Sequence, residues 1–113
     1  MLKLPKRFVE NIASVVNILV QEVGENLEQI VLFGSCARGN ITTGSDIDLL
    51  LITKSLIDTH KERGSIRDMI DDYNVDLVFY SKDRFEESDS LFVKNIKKDM
   101  ICLWREGEFV EQL

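Results

Sequence analysis

Hydrophobic residues in the first part of the chain recur with the spacing of one face of an α-helix. Pro5 suits the first turn of such a helix, and Gly24 suits its end. The pattern predicts an amphipathic helix over about residues 8–23, with its apolar stripe facing the core. The stripe consists of Phe8, Ile12, Val15, Val16, Leu19 and Val23.

Four short runs rich in aliphatic and β-branched residues follow, and they have the length of β-strands. They cover about residues 29–33, 46–52, 75–80 and 101–104. Helical spacing returns between the second and third runs, at Ile66, Met69, Ile70 and Tyr73. It returns again before the last run, with a break at residues 87–90, at Phe85, Leu91, Phe92, Ile96 and Met100.

The resulting order of elements is α-β-loop-β-α-β-α-β. Such alternation predicts an α/β (α+β) fold with a mixed β-sheet flanked by helices. The length of 113 residues predicts a single domain over residues 1–113. Neither a long apolar span nor a signal peptide is visible, so we expect a cytoplasmic protein.

The net charge of −6 narrows the classes of partner. Proteins that grip a nucleic-acid backbone usually present a basic stripe, and the lysines and arginines here form only short clusters. Nucleic acid is therefore not expected as the main partner, whereas a small nucleotide fits. Cys36 and Cys102 lie in no CxxC or Cys/His pattern, which argues against a disulfide framework or a zinc site.

Acidic residues interrupt two of the aliphatic runs. Asp46 and Asp48 are two residues apart, so on a strand they project from the same face, close enough to share a cation. Asp76 interrupts the third run and would join them if the two strands were neighbours. Clustered carboxylates repel one another and resist desolvation. A divalent cation such as Mg²⁺ would offset this, although Asp46 taken alone is equally a turn residue at a strand start.

A Gly-Ser turn follows directly after the first aliphatic run. Gly34 permits close approach of the backbone to a ligand, Ser35 adds a hydroxyl and Arg38 a guanidinium, which together suit phosphate groups. The same residues also suit a plain helix start and a solvated surface charge. Ser45 is a further candidate nucleotide contact, or a local turn residue.

These residues form a recognisable pattern: Gly34 and Ser35, ten further residues, then Asp46-Ile47-Asp48. The pattern resembles the signature of the DNA polymerase β-like nucleotidyltransferase superfamily. The segments "GSCARG", "SDIDLLL" and "VDLV" resemble its minimal nucleotidyltransferase (MNT) branch, and the resemblance covers about residues 8–105.

The resemblance implies a polymerase β-like fold and transfer of a nucleoside monophosphate, AMP from ATP, to a hydroxyl group. By the same resemblance, Asp46 and Asp48 would bind Mg²⁺, two ions in all, and Gly34 and Ser35 would hold the β- and γ-phosphates. Asp76 would bind metal on the acceptor side and assist deprotonation of the acceptor.

The resemblance also implies a partner. Members of the MNT branch are commonly paired with a helical protein of the HEPN class, for which they act as the antitoxin and adenylylate a tyrosine. An alternative is a non-catalytic module that binds a nucleotide or partner and neutralises that partner by occlusion. The choice between ATP and another nucleoside triphosphate, the identity of the acceptor, and a homo- or hetero-oligomeric state stay open at this point.

Overall fold

A computed structural model describes residues 4–42, 44 and 46–110 of the chain. Helices lie on both faces of a five-stranded sheet. The helices are α1 Lys6–Val23, α2 Gly34–Arg38, α3 His60–Met69, α4 Lys82–Glu87 and α5 Leu91–Asp99. The strands are β1 Leu27–Phe33, β2 Ile47–Thr53, β3 Val75–Ser81, β4 Ile101–Arg105 and β5 Glu108–Phe109. Short 3₁₀ turns, Gly24–Asn26 and Asp71–Tyr73, precede β1 and β3.

The strand order is β3-β2-β1-β4-β5. Strands β2 and β3 run parallel, and the other neighbouring pairs run antiparallel. The sheet is therefore mixed, with β3 and β5 at its edges, and the predicted class of a mixed sheet flanked by helices is confirmed.

Strand β2 is the centre of two separate apolar cores because its side chains alternate between the two faces. Leu49 and Leu51 contribute to the core beneath α1 and α3, whereas Leu50 and Ile52 contribute to the core beneath α4 and α5. The predicted stripe of α1 lies in the first core, with Phe8, Ile12, Val15, Val16 and Leu19 buried. The second core is completed by Val31, Phe85, Val93 and Ile96.

The structure departs from the sequence-based expectation at several boundaries. Strand β2 begins at Ile47, so Asp46 lies in the approach to the strand and not within it. The apolar stripe predicted over Ile66, Met69, Ile70 and Tyr73 is not one helical face, because α3 ends at Met69 and a 3₁₀ turn follows. Met69 itself is 41% exposed. The short hairpin that adds β5 after β4 was not predicted. The break expected at residues 87–90 is present and separates α4 from α5.

None of the helices formed by the described residues has both the length and the apolar character that a membrane crossing requires.

Candidate active site

Two of the three predicted acids meet through strand register. Asp48 on β2 lies directly opposite Asp76 on the parallel neighbour β3. Both side chains project to the sheet face that α4 and α5 cover, because they share parity with Leu50 and Val78 of that core. The condition that the sequence left open, that these two strands be neighbours, is therefore met.

Gly34 brings the Gly-Ser turn against the same acid. Its backbone has φ +75°, a left-handed conformation that side-chain-bearing residues rarely adopt. A Cβ atom at this position would collide with Oδ2 of Asp48 and lie 3.2 Å from its Cγ. Only glycine lets the turn and the carboxylate approach this closely, so residues 14 positions apart in the chain share one site.

Helix α2 is a single short turn that begins at Gly34. It ends at Arg38 and is followed by Gly39, which is left-handed with φ 78°. The Asn40 N–H donates to the Ser35 carbonyl oxygen at 2.9 Å. Ser35 is half-buried, whereas Arg38 at the end of the helix is exposed. Ser45, the remaining candidate nucleotide contact, lies outside the described residues.

Asp46 is exposed, but its backbone is held from two sides. Its carbonyl oxygen accepts a hydrogen bond from the Cys36 thiol at 3.4 Å. The next amide, that of Ile47, donates to the Asn74 carbonyl oxygen at 3.2 Å, in the turn before β3. The approach to β2 is thereby tied both to α2 and to the strand that carries Asp76.

Cys36 serves this site as a buried thiol. Its side chain is 1% exposed. Burial raises the pKa of the Cys36 thiol, and the Asp48 and Asp46 carboxylates raise it further. The group therefore stays protonated at neutral pH and acts as a hydrogen-bond donor, in line with the absence of a Cys/His pattern in the sequence.

The pKa of Asp48 reflects its partial burial and the negative charge of the neighbouring acids. Partial burial raises the pKa of the Asp48 carboxyl above its ordinary value, and the Asp76 and Asp46 carboxylates raise it further. Arg38 opposes this shift and lowers the pKa. The Arg38 guanidinium therefore does not offset the raised pKa of Asp48.

The donor chemistry of the acids suits a hard divalent cation. In the part of the chain that the structure describes, no three His, Cys, Asp or Glu side chains are already gathered as a metal site. The three carboxylates nevertheless supply oxygen ligands of the kind that Mg²⁺ prefers, and their uncompensated charge would be lowered by such an ion. The residues present therefore fit a divalent cation.

A polar cleft of about 460 Å³ lies beside two of the acids. Its lining includes Asp46 and Asp76, together with Asp71 and Asn74. Arg67 closes another wall: its guanidinium donates to the Leu77 carbonyl oxygen at 3.1 Å and lies 4.9 Å from the ring centroid of Phe79. Nothing in the local sequence singled out Arg67, because its role depends on how α3 packs beside β3.

Comparison with known proteins gives a consistent picture of the family. The family model described as "Nucleotidyltransferase domain" matches residues 12–103. A curated protein of Methanocaldococcus jannaschii, named "Putative protein adenylyltransferase", is 51% identical over 45 residues. That match spans 36% of this chain and 31% of the relative, so the chain covers less than a third of the relative's length.

Solved structures with the same fold include one described as a toxin-antitoxin with AMP-PNP. It has a TM-score of 0.61 and 22% identity over 82% of this chain and 73% of that one. A "putative nucleotidyltransferase" from Sulfolobus solfataricus has a TM-score of 0.57 and 23% identity over 100% of both chains. A tri-AMPylated Shewanella oneidensis HEPN toxin in complex with MNT antitoxin has a TM-score of 0.60 and 20% identity over 88% of this chain and 73% of that one. At these identities the likeness concerns the fold.

Proposed function

The chain belongs to the nucleotidyltransferase domain family, and from that premise we propose that it transfers AMP from ATP to a hydroxyl group of a partner protein. One observation carries the proposal: Gly34 has no room for a side chain because the Asp48 carboxylate lies against it, and Asp76 lies opposite Asp48. A turn suited to phosphate and a group of acids suited to metal thus form one continuous surface.

The donor nucleotide would lie with its β- and γ-phosphates on the Gly-Ser turn. In this proposal the backbone of Gly34 and the hydroxyl of Ser35 contact phosphate oxygens, and Arg38 supplies positive charge from the end of α2. The closeness of Arg38 to the acids supports this role, since its charge already influences Asp48. Ser45 remains a predicted contact of the same nucleotide.

The acids would hold the divalent cations, two Mg²⁺ ions in our proposal, through Asp46, Asp48 and Asp76. When bound, such ions supply charge neutralisation at the phosphate oxygens and lower the pKa of a hydroxyl group. The exposed position of Asp46 and Asp76 beside the half-buried Asp48 leaves oxygen atoms available for this purpose.

The reaction is an in-line substitution at the α-phosphorus of ATP. The acceptor oxygen forms a bond to the α-phosphorus while the bond from that phosphorus to the oxygen bridging the β-phosphate breaks. Pyrophosphate leaves with the electron pair, and the proton of the acceptor hydroxyl passes to the Asp76 carboxylate. The polar cleft beyond Asp76 is the side from which the acceptor would approach.

The partner would be a HEPN-type toxin, for which this chain acts as the antitoxin. Support comes from the solved structures of the same fold, which include toxin-antitoxin complexes and an AMPylated HEPN toxin bound to an MNT antitoxin. The polar, open cleft beside Asp76 supports an acceptor supplied by another chain, because several of its lining side chains are exposed.

Isothermal titration of ATP in the presence of Mg²⁺ tests the donor half of the proposal. We expect Asp46→Asn and Asp48→Asn to bind ATP more weakly than the native chain, since each removes one anionic ligand. Equal affinity in all three proteins would contradict the assignment of these acids as metal ligands.

Co-expression with the partner tests the other half of the proposal. A double variant, Asp46→Asn and Asp48→Asn, that still suppresses toxicity would favour neutralisation by occlusion over neutralisation by AMP transfer.

A further inference from the structure

The first turn of α5 places an exposed aromatic ring beside the Gly-Ser turn. Phe92 is 47% exposed, and its ring lies edge-to-face on that of Phe33, with centroids 6.0 Å apart and planes at 87°. Phe33 is the residue immediately before Gly34 and lies opposite Asp48 on β2. Phe92 thus contacts a residue that adjoins both the Gly-Ser turn and Asp48.

The position of Phe92 is fixed by the anchoring of α5. Val93 and Ile96 are buried in the core beneath α4 and α5, which holds the helix against the sheet face from which Asp48 and Asp76 project. The helix begins at Ser90, whose hydroxyl accepts a hydrogen bond from the Val93 N–H at 3.2 Å. The ring therefore stands at a defined place on the face where a nucleotide would bind.

Exposure alone does not distinguish Phe92, because single exposed apolar residues are common on protein surfaces. Phe109 is exposed to nearly the same degree, 48%, but it lies on β5 at the opposite edge of the sheet. Other aromatic rings on the face of the acids are more enclosed: Tyr80 and Phe33 are half-buried, and Phe85 is buried. Phe92 is the ring on this face that presents most of its surface to a ligand.

We propose that the exposed surface of Phe92 stacks on the base of the nucleotide whose phosphates occupy the Gly-Ser turn. The inference rests on the proposed function. A triphosphate on that turn would lie on the sheet face that α5 borders. The nucleoside attached to it would then lie near the Phe92 ring. Stacking on an aromatic ring accepts any base, since every base has a π-face. The contact would strengthen nucleotide binding with little preference among bases.

Paired titrations with two ligands separate a base contact from a phosphate contact. The ligands are α,β-methylene-ATP, whose α–β linkage cannot be cleaved in the transfer, and inorganic tripolyphosphate, which has no base; both are titrated with Mg²⁺. We expect Phe92→Ala to weaken binding of the nucleotide analogue about tenfold, in the range for loss of one base stack, and to leave tripolyphosphate unchanged. Phe109→Ala is the matched control and should change neither affinity.

Two further variants distinguish loss of base stacking from loss of folding. Phe92→Leu keeps an apolar side chain for contact with Phe33 and should still lose nucleotide affinity, whereas Phe92→Trp should retain it. Circular dichroism and thermal melting establish that the variants are folded.

Unchanged nucleotide affinity in folded Phe92→Ala and Phe92→Leu would overturn the inference, and that result is the one a protein-docking surface would give. Equal weakening of both ligands would also overturn it, because the ring would then act through the phosphate turn. If the native chain binds neither ligand, the proposed function itself fails, and the base contact fails with it.

Discussion

The two sides of the acidic cluster are built differently. On the side of Gly34, the turn lies so close to Asp48 that a single Cβ atom would not fit, and Cys36 in the same helix is buried. On the side of Asp76, the acids open into a polar cleft of about 460 Å³ at the edge strand of the sheet. The turn at Gly34 thus leaves no room for a side chain beside Asp48, whereas the cleft has room for a group from another chain. In the proposed reaction, the side of Gly34 would hold the donor nucleotide and is called the donor side, whereas the side of Asp76 would receive a partner's acceptor group and is called the acceptor side.

The largest effect is expected from Asp48→Asn, which removes the acid that lies against Gly34 and opposite Asp76. We expect transfer activity to fall by about 1,000-fold, in the range found when a group that stabilises transition-state charge is lost. The fold should be retained, because the amide has nearly the same shape as the carboxylate. Transfer rates with a fixed partner concentration measure the loss, and activity within a few fold of the native value would argue against a role for Asp48.

Asp76→Asn should separate the two sides. Because Asp76 borders the open cleft and is assigned the acceptor proton, we expect transfer to fall about 100-fold, while ATP binding weakens less than in Asp48→Asn. Single-turnover rates and titration of ATP on the same preparation give the two quantities. A parallel loss of binding and transfer in Asp76→Asn would mean that the donor and acceptor sides are not distinct.

Gly34→Ala tests the close fit of the donor side. The new methyl group collides with Asp48 and also requires a left-handed backbone, so we expect a loss of about 1 kcal/mol or more in the free energy of unfolding. Activity should fall by tens of fold, since a displacement of about 1 Å in a reacting group can cost about 100-fold.

Gly107→Ala is the matched control for that substitution. Gly107 also has a positive φ, of 90°, but nothing lies within 4 Å of its Cβ position. It should lose stability through backbone strain while keeping full activity. If both variants keep full activity, the contact between Gly34 and Asp48 has no part in the reaction.

The smallest effect concerns the pH dependence of stability. Because the pKa of Asp48 is raised on folding, its contribution to stability is fully present below the unfolded pKa and is lost as pH rises through the folded pKa. Without divalent cations, the native chain should therefore become less stable relative to Asp48→Asn as pH rises through that window. Thermal melts of both proteins across pH measure the difference, and added Mg²⁺ should reduce it. A difference that is independent of pH would contradict the assigned charge effect.

The donor side could be read from the sequence because its parts are contiguous. Residues 31–51 contain the strand, the turn and two of the acids, and their spacing is visible without knowledge of the tertiary fold. The α1 stripe and the strands were likewise predicted, since burial imposes a period on the chain. Asp76 could be proposed, but its place opposite Asp48 depends on a strand register that periodicity does not contain.

The acceptor side and the surface near α5 could not be predicted in the same way. Arg67 becomes a wall of the cleft only because α3 packs beside β3, and Leu91 and Phe92 follow a helical apolar period yet are 73% and 47% exposed. An apolar period shows which residues could be buried but not whether another element covers them. The sequence likewise could not show that β2 begins at Ile47, after Asp46, because the ends of a strand depend on its pairing with neighbouring strands.

The most direct test of the central claim is the mass of the proposed HEPN-type partner after incubation with this chain, ATP and Mg²⁺. If the Gly34 turn and the three acids form a site for AMP transfer, the partner gains the mass of AMP with the native chain and gains none with the Asp46→Asn and Asp48→Asn double variant. No mass gain with the native chain, or the same gain with the folded double variant, would contradict the account.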